Sequence, residues 1–489
     1  MTIELQVIGS ALRAVCEEMG AALVRAAFSA NIKERRDCSA ALFDSAGRMI
    51  AQAEHIPVHL GAMPEAVAAV RAVDPARDDV YILNDPFAGG THLPDITLVS
   101  RTALGFAVTR AHHADVGGTA PGSLPADSQT LEDEGVVIPP TLLNEAFLDD
   151  FLTRVRDPDE RRGDLRAQLA ANALAARRID ELCARKGADR VAAAMEALYE
   201  YSERRVRAAV AELPDGRYEA ADVVEAEEGQ LEMRAAVTVA GEEIHVDFDG
   251  TAPQHSGNLN CPLAVTRSAA YFVIRCLTDP DVPASGGAFA PVTVEAPSGC
   301  LVNAQPPAAV AAGNVETSCR IADVLFAAFA KATDVPAQGQ GTMNNVTLGN
   351  DRFAYYETIG GGQGACPDAD GPSAVHVTMS NTLNTPVEAL ELAYPLRVRR
   401  YELRAGSGGG GGRRRGGEGV IRELEALEPC RYSIVSERRA RSPSGFRGGE
   451  DGAPGRNFLN GSELSAKASG DLAAGDVLRI ETPGGGALG

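Results

Sequence analysis

At 489 residues the chain exceeds what one hydrophobic core usually serves, so two or three domains are expected. A net charge of −21 argues against nucleic acid and anionic membrane as partners, while 45% apolar residues is ordinary for a soluble globular protein. Nine scattered cysteines without a Cys-x-x-Cys pair argue against a disulfide framework and suit a reducing cytoplasm; no membrane-length apolar run and no signal-peptide start is present.

Residues 4 to about 28 predict an amphipathic helix, with Leu5, Ile8, Leu12, Val15, Met19, Leu23 and Ala26 recurring at three or four. Residues 38–43 and 49–52 are apolar runs around a polar turn containing Gly47, the pattern of a hairpin. Pro64 opens an Ala- and Val-rich helix. A buried strand at 79–83 leads into Asn84-Asp85-Pro86-Phe87-Ala88-Gly89-Gly90-Thr91-His92-Leu93-Pro94-Asp95-Ile96-Thr97, and strands at 96–99 and 106–109 follow. Residues 141–215 are helical and rich in Ala, Leu and Arg, a helical insertion with solvated charge. Strands are expected at 218–225, 235–239 and 244–248, a turn-rich stretch at 249–260, and helices at 263–277 and 316–333. Alternation at 353–358 and 396–403 predicts a β-rich C-terminal part.

The fold class is therefore mixed α/β (α+β) with several subdomains: a metal-site α/β domain at 1–140, the helical insertion at 141–215, an α/β core region at 216–400 and a β-rich region at 401–489. Gly360–Gly364 lacks the Lys-Ser/Thr of a phosphate loop. Gly408–Gly417, with Arg413, Arg414 and Arg415, is expected to be a mobile basic loop near a substrate or partner surface.

Only eight histidines occur, and His-x-x-Asp appears twice in quick succession, as His92/Asp95 and His112/Asp115. Imidazole and carboxylate are ligands for borderline divalent ions such as Mn, Zn, Fe or Co. One such pair would be ordinary as a hydrogen-bonded turn; two copies around one hairpin favour a metal centre at the ends of neighbouring strands. Asp37 is the best additional carboxylate, its alternative being an ion pair with Arg35 or Arg36. His113 must face away from His112 in an extended segment, so His112 is the ligand of the two. Asp115, His59 and Asp85 are placed around the ligands as orienting groups. Cys38, Cys261 and Cys319 read as inert, and neither a Gly-x-Ser-x-Gly elbow nor a dinucleotide fingerprint is present.

Residues 32–37, 51–61, 84–95 and 112–118, followed by Asp249-Gly250-Thr251-Ala252-Pro253-Gln254, Gly313-Asn314-Val315-Glu316-Thr317 and Arg415-Gly416-Gly417, resemble in order the hydantoinase B/oxoprolinase family. The resemblance spans essentially the whole chain, though family members often continue past the final Gly-rich motif. It implies metal ligation by Asp37, His92, Asp95 and His112. It further implies an A-type partner that spends ATP to phosphorylate a substrate oxygen, in a cytoplasmic hetero-oligomer. The expected reaction is hydrolytic opening of a cyclic amide (hydantoin, 5-oxoproline or a lactam), with Asp115 or Glu54 as general base and His59 nearby. The alternatives are a component of a ketone carboxylase using bicarbonate or CO₂, and a non-catalytic scaffold.

Overall fold

The computed structural model describes residues 2–53, 56–227 and 229–489. Helix α1 (Ile3–Ala26) forms as its periodicity predicts, and the Thr2 hydroxyl accepts from Leu5 N at 3.2 Å to cap its first turn. The short α2 (Ala30–Lys33) leads into the hairpin β1 (Cys38–Asp44) and β2 (Met49–Ala53). Then come α3 (Ala62–Arg71), β3 (Val80–Leu83), β4 (Asp95–Arg101), β5 (Gly105–His112), α4 (Leu131–Glu134) and β6 (Thr141–Leu142). The six strands make one antiparallel sheet in the order β2-β1-β5-β4-β3-β6.

Every residue of β1 and β5 is buried, because both faces of this sheet are covered. The two-residue period sorts the side chains: Ala40, Leu42, Ala107 and Ala111 enter one apolar cluster, while Ala41, Phe43, Phe106 and Val108 enter another on the opposite face. The helices of the central block, α5 (Glu145–Leu152), α6 (Pro158–Lys186) and α7 (Ala188–Val210), do not stand apart from this sheet. Residues of α6 and α7 share the first cluster with α1, and Gln168 and Asn172 of α6 donate to the carbonyls of Ile96 and Leu98 in β4 at 3.0 and 3.1 Å.

Strands β7 (Gly216–Ala226), β8 (Gly229–Ala240) and β9 (Glu243–Asp247) follow, with α8 (Leu263–Leu277), β10 (Val292–Glu295) and α9 (Ser318–Phe329). They make a four-stranded sheet in which β10 alone runs parallel to its neighbour, and the two helices pack in the second cluster. The C-terminal part carries β11 (Asn345–Gly349), β12 (Ala354–Glu357), α10 (Val387–Ala393), β13 (Leu396–Arg404), β14 (Gly419–Ala426), β15 (Cys430–Val435), β16 (Arg456–Leu459), β17 (Ser462–Leu464), β18 (Lys467–Leu472) and β19 (Val477–Glu481). Two sheets result, β12-β11-β15-β18 and β13-β14-β19-β16-β17, around a third apolar cluster. The mixed α/β architecture is as expected.

The Gly408–Gly417 tract corrects the expectation of a mobile loop. It lies beside the extended segments 360–364 and 484–489, with Gly409 N donating to Gly485 O (2.8 Å), Gly417 N to Gln363 O and Gly485 N to Gly417 O (both 2.9 Å). A Cβ on Gly485 would sit 2.0 Å from the Gln363 carbonyl oxygen, so backbones this close require glycine. The partners are tens of residues away in sequence, which is why the tract looks unstructured when read locally. All nine cysteines are unpaired. Among the described residues no helix is long and apolar enough to cross a membrane.

Candidate metal centre

Strand β4 begins at Asp95 and β5 ends at His112, and these two residues are direct cross-strand partners. The register of one hairpin thus sets a carboxylate against an imidazole at a strand end. His92 lies in the turn just before β4, where Asp95 N donates to His92 O at 3.0 Å and folds the ring back over the carboxylate. Asn84 fixes that turn: its amide donates to Leu93 O and Val136 O, and its oxygen accepts from Ile138 N.

The Asp95 carboxylate is 1% exposed and faces three imidazoles. Its Oδ2 lies 2.9 Å from His92 Nδ1 and 3.4 Å from His59 Nε2, and its Oδ1 lies 3.4 Å from His112 Nδ1. Thr91 Oγ1 also donates to Oδ2. Burial alone would raise this carboxyl, but the facing His92, His112 and His59 outweigh it and hold it well below the usual carboxylate range. Burial pushes the His112 imidazole down, against the opposing pull of Asp95 and Asp37, so the ring is neutral and its lone pair available.

The donor set fits a divalent ion. One donor atom from each of His92, Asp95 and His112 lies within 4.8 Å of the others. Nε2 of His92 and of His112 is buried without a hydrogen-bond partner, a costly arrangement for a site meant to stay metal-free. The cavity between them measures about 20 Å³, room for one water or one ion.

Of the other candidates, Asp37 lines this cavity, and its carbonyl accepts from His112 N at 3.0 Å. His59 also lines it, with Nδ1 2.9 Å from Ser39 Oγ. Asp115 does not line it: its carboxylate is taken up by Arg156 Nη1 (2.9 Å) and by the amides of Gly117, Gly122 and Arg156. Asp85 caps a turn by accepting from Phe87 N. His113 turns to the opposite face and meets Gln168 Oε1 at 2.9 Å, as strand geometry requires. Glu54 falls outside the described residues.

Several lining residues carry no local signal in the sequence. Asn314 stands on a π-helical turn, Gly313–Thr317, with its amide nitrogen 2.9 Å from His92 Nδ1. Gly313 permits that placement, since a Cβ there would lie 1.8 Å from Asn260 O. Tyr356 on β12 stacks on His112 with ring centres 4.2 Å apart at 12°, and its hydroxyl donates to Asn345 Oδ1. Thr358, Ser380 and Thr382 complete the wall. The motif Gly313-Asn314-Val315-Glu316-Thr317 and the strand at 353–358 are visible in the sequence; their meeting at His92 and His112 is not.

The hydantoinase B/oxoprolinase family model matches residues 1–489. The chain belongs to the hydantoinase B/oxoprolinase family. Relatives in this family include 5-oxoprolinase 1 of Arabidopsis thaliana, 37% identical over all of this chain and 42% of that longer protein. A protein named as the B component of a D-/L-hydantoinase, from a Pseudomonas strain, is 31% identical over all of this chain and 90% of its own. The crystal structure of an ATP-dependent caprolactamase from Pseudomonas jessenii superposes with a TM-score of 0.93 at 28% identity, covering all of this chain and 91% of that one. The fold of this hydantoinase B/oxoprolinase member is thus shared with a solved relative over its full described length.

Proposed function

We propose that this chain is the B-type component of an ATP-dependent amidohydrolase that opens a cyclic amide, working with an ATP-binding A-type partner. Three relatives support the substrate class, since oxoprolinase, hydantoinase and caprolactamase are all named for substrates with an amide inside a ring. The chain spans about two-fifths of the plant 5-oxoprolinase, and the remainder of such a long relative is where the partner's activity is expected. The observation that carries the reading is the buried His92–Asp95–His112 donor set with unpartnered ring nitrogens.

Asp37, His92, Asp95 and His112 would hold Mn, Zn, Fe or Co. When bound, such an ion polarises a carbonyl and lowers the pKa of a water. Asp95 brings the negative charge, and the buried neutral His112 brings a lone pair rather than a competing proton. Tyr356 and Asn314 fix the planes of the His112 and His92 rings. His59 is the base that takes the proton of the attacking water: unlike Asp115 it lines the cavity, and Ser39 holds its other nitrogen.

The test is metal content together with ring opening. The wild-type chain should retain close to one divalent ion per molecule after dialysis, and His92→Ala and His112→Ala should each lose most of it. With its ATP-binding partner, the wild type should release ADP in step with opening of 5-oxoproline, a hydantoin or caprolactam. Equal metal content in all three proteins would overturn the metal centre; ADP release without ring opening would overturn the substrate class.

A further inference from the structure

A second cavity, of about 630 Å³, opens beside β2, the outermost strand of the six-stranded sheet. Four consecutive residues, Ile50 to Ala53, line it, which a strand can present only along its free edge. Gly9 and Arg13 of α1 and Leu198 of α7 stand on one side, and Val282 and Pro283, in the chain after α8, on the other. The volume lies within the roughly 300–1,000 Å³ of small-molecule sites, and the walls join apolar side chains to a few polar ones, as such sites do.

One of the polar groups is unpaired. Gln52 is 6% exposed, and its Oε1 is buried without a hydrogen bond. Its Nε2 meets no acceptor among the described residues either. The register sets Gln52 opposite Ala41, so its side chain leaves the α1 face taken by Ala51 and Ala53 and turns to the face of Val282. A primary carboxamide carries a donor and an acceptor side by side, and enclosing both unpaired is costly. Exchanging the two ends of the amide leaves that cost unchanged.

A ligand with N–H and C=O on one edge satisfies both ends at once. An open-chain secondary amide is trans and holds the two on opposite sides. A small ring forces the amide cis and brings them together, and its methylenes suit the apolar walls. We infer that this cavity is a second binding site, for an intact cyclic amide whose N–H and C=O pair with the Gln52 carboxamide. The choice of a cyclic amide rests on the proposed reaction; the cavity and its unpaired carboxamide do not. Ala41 is four residues from Asp37, about 13 Å along an extended strand, so a ring held on Gln52 is not at the candidate ion. Its carbonyl oxygen is taken by the Gln52 N–H, so the ring held is the unphosphorylated one. Gln52 is thus a recognition residue and not a catalytic one.

Binding is read on the full chain, without partner or ATP, by calorimetric titration with caprolactam, N-methylcaprolactam and the ring ester caprolactone. Wild type should bind caprolactam about tenfold more tightly than either of the other rings, which lack the N–H. Gln52→Leu, close in size but without hydrogen bonds, should erase that preference. His92→Ala should leave it intact; its loss there would place the ligand at the ion-sized cavity and overturn the inference. Equal affinity of wild type for the three rings, or a preference that survives Gln52→Leu, overturns it as well. Should Gln52→Leu not fold, Ser10→Trp, at an exposed cavity-lining position of α1, fills the space and should abolish caprolactam binding with metal content unchanged; undiminished binding overturns the inference. A chain that binds caprolactam through Gln52 but opens no cyclic amide with ATP and the partner keeps the site and removes the reaction. Ring opening by a chain that binds none of the three rings does the reverse.

Discussion

Glu134, at the end of α4, has no exposed surface and accepts from Ser128 Oγ and Ala311 N at 2.9 Å and from Val310 N at 3.1 Å. It thereby holds the strand of chain that enters the Asn314 turn. Burial pushes its carboxyl up to about 7 from an ordinary 4.5, although those same hydrogen bonds oppose the shift. Between the two values the folded protein keeps a proton that the unfolded chain has given up. Stability supplied by this group is therefore full below pH 4.5 and is lost as pH rises through 7. The difference corresponds to about 3 kcal/mol. Glu134→Gln mimics the protonated acid in shape and hydrogen bonding but does not titrate. Urea unfolding of both proteins at pH 5 and pH 8 should find the wild type losing about 2.5 kcal/mol more than the variant over that interval. Parallel losses, within about 0.5 kcal/mol, would refute a buried carboxyl whose ionisation opposes folding.

Two other substitutions test the packing around the site. Tyr356→Leu removes the ring stacked on His112 and leaves Asn345 without its hydroxyl donor; it should destabilise by about 2–4 kcal/mol and weaken metal binding about tenfold, while Tyr356→Phe keeps wild-type metal affinity, all read by metal titration and urea unfolding. Gly485→Ala drives a methyl group into the Gln363 carbonyl and should cost about 3 kcal/mol or more, whereas Gly461→Ala, at φ +83 with open space around it, should cost about 1 kcal/mol, as thermal and urea unfolding would report.

The two His-x-x-Asp segments show why spacing is only half of the signal. In His92-x-x-Asp95 the aspartate is the first residue of β4, so the turn before it can fold the histidine back onto the carboxylate. In His112-x-x-Asp115 the histidine is the last residue of β5, and the chain leaves the sheet before Asp115 is reached. Asp115 then serves the turn it stands in, tying Gly117 and Gly122 to Arg156. Equal spacing on opposite sides of a strand end therefore produces one imidazole–carboxylate contact and one structural brace. The hairpins, α1 and α8 are legible because their hydrophobic periods are local. The wall residues are not, because nothing local distinguishes Tyr356 or Ser380 from any other residue of an apolar strand or a polar loop.

What makes the site is the closure of the three layers on one another. The hairpin β4–β5 supplies the candidate donors Asp95 and His112, with His92 in the turn before it, the turn before α9 supplies Asn314, and the C-terminal sheets supply Tyr356, Thr358 and the loop with Ser380. Arg35, just ahead of β1, reaches across to Tyr356, Thr358, Thr382 and the Leu383 carbonyl, so the first layer itself fastens the wall that faces its own ligands. A buried guanidinium with this many partners is destabilising unless nearly all of them are in place. Partial docking of the C-terminal part therefore leaves Arg35 unsatisfied and the metal donors exposed to water at once. Loss of the wall and opening of the candidate donor site are accordingly coupled events, although the donors stand on the hairpin, on the turn before it and just ahead of β1. Arg35→Lys, which keeps the charge but cannot span four acceptors, breaks that coupling at its narrowest point.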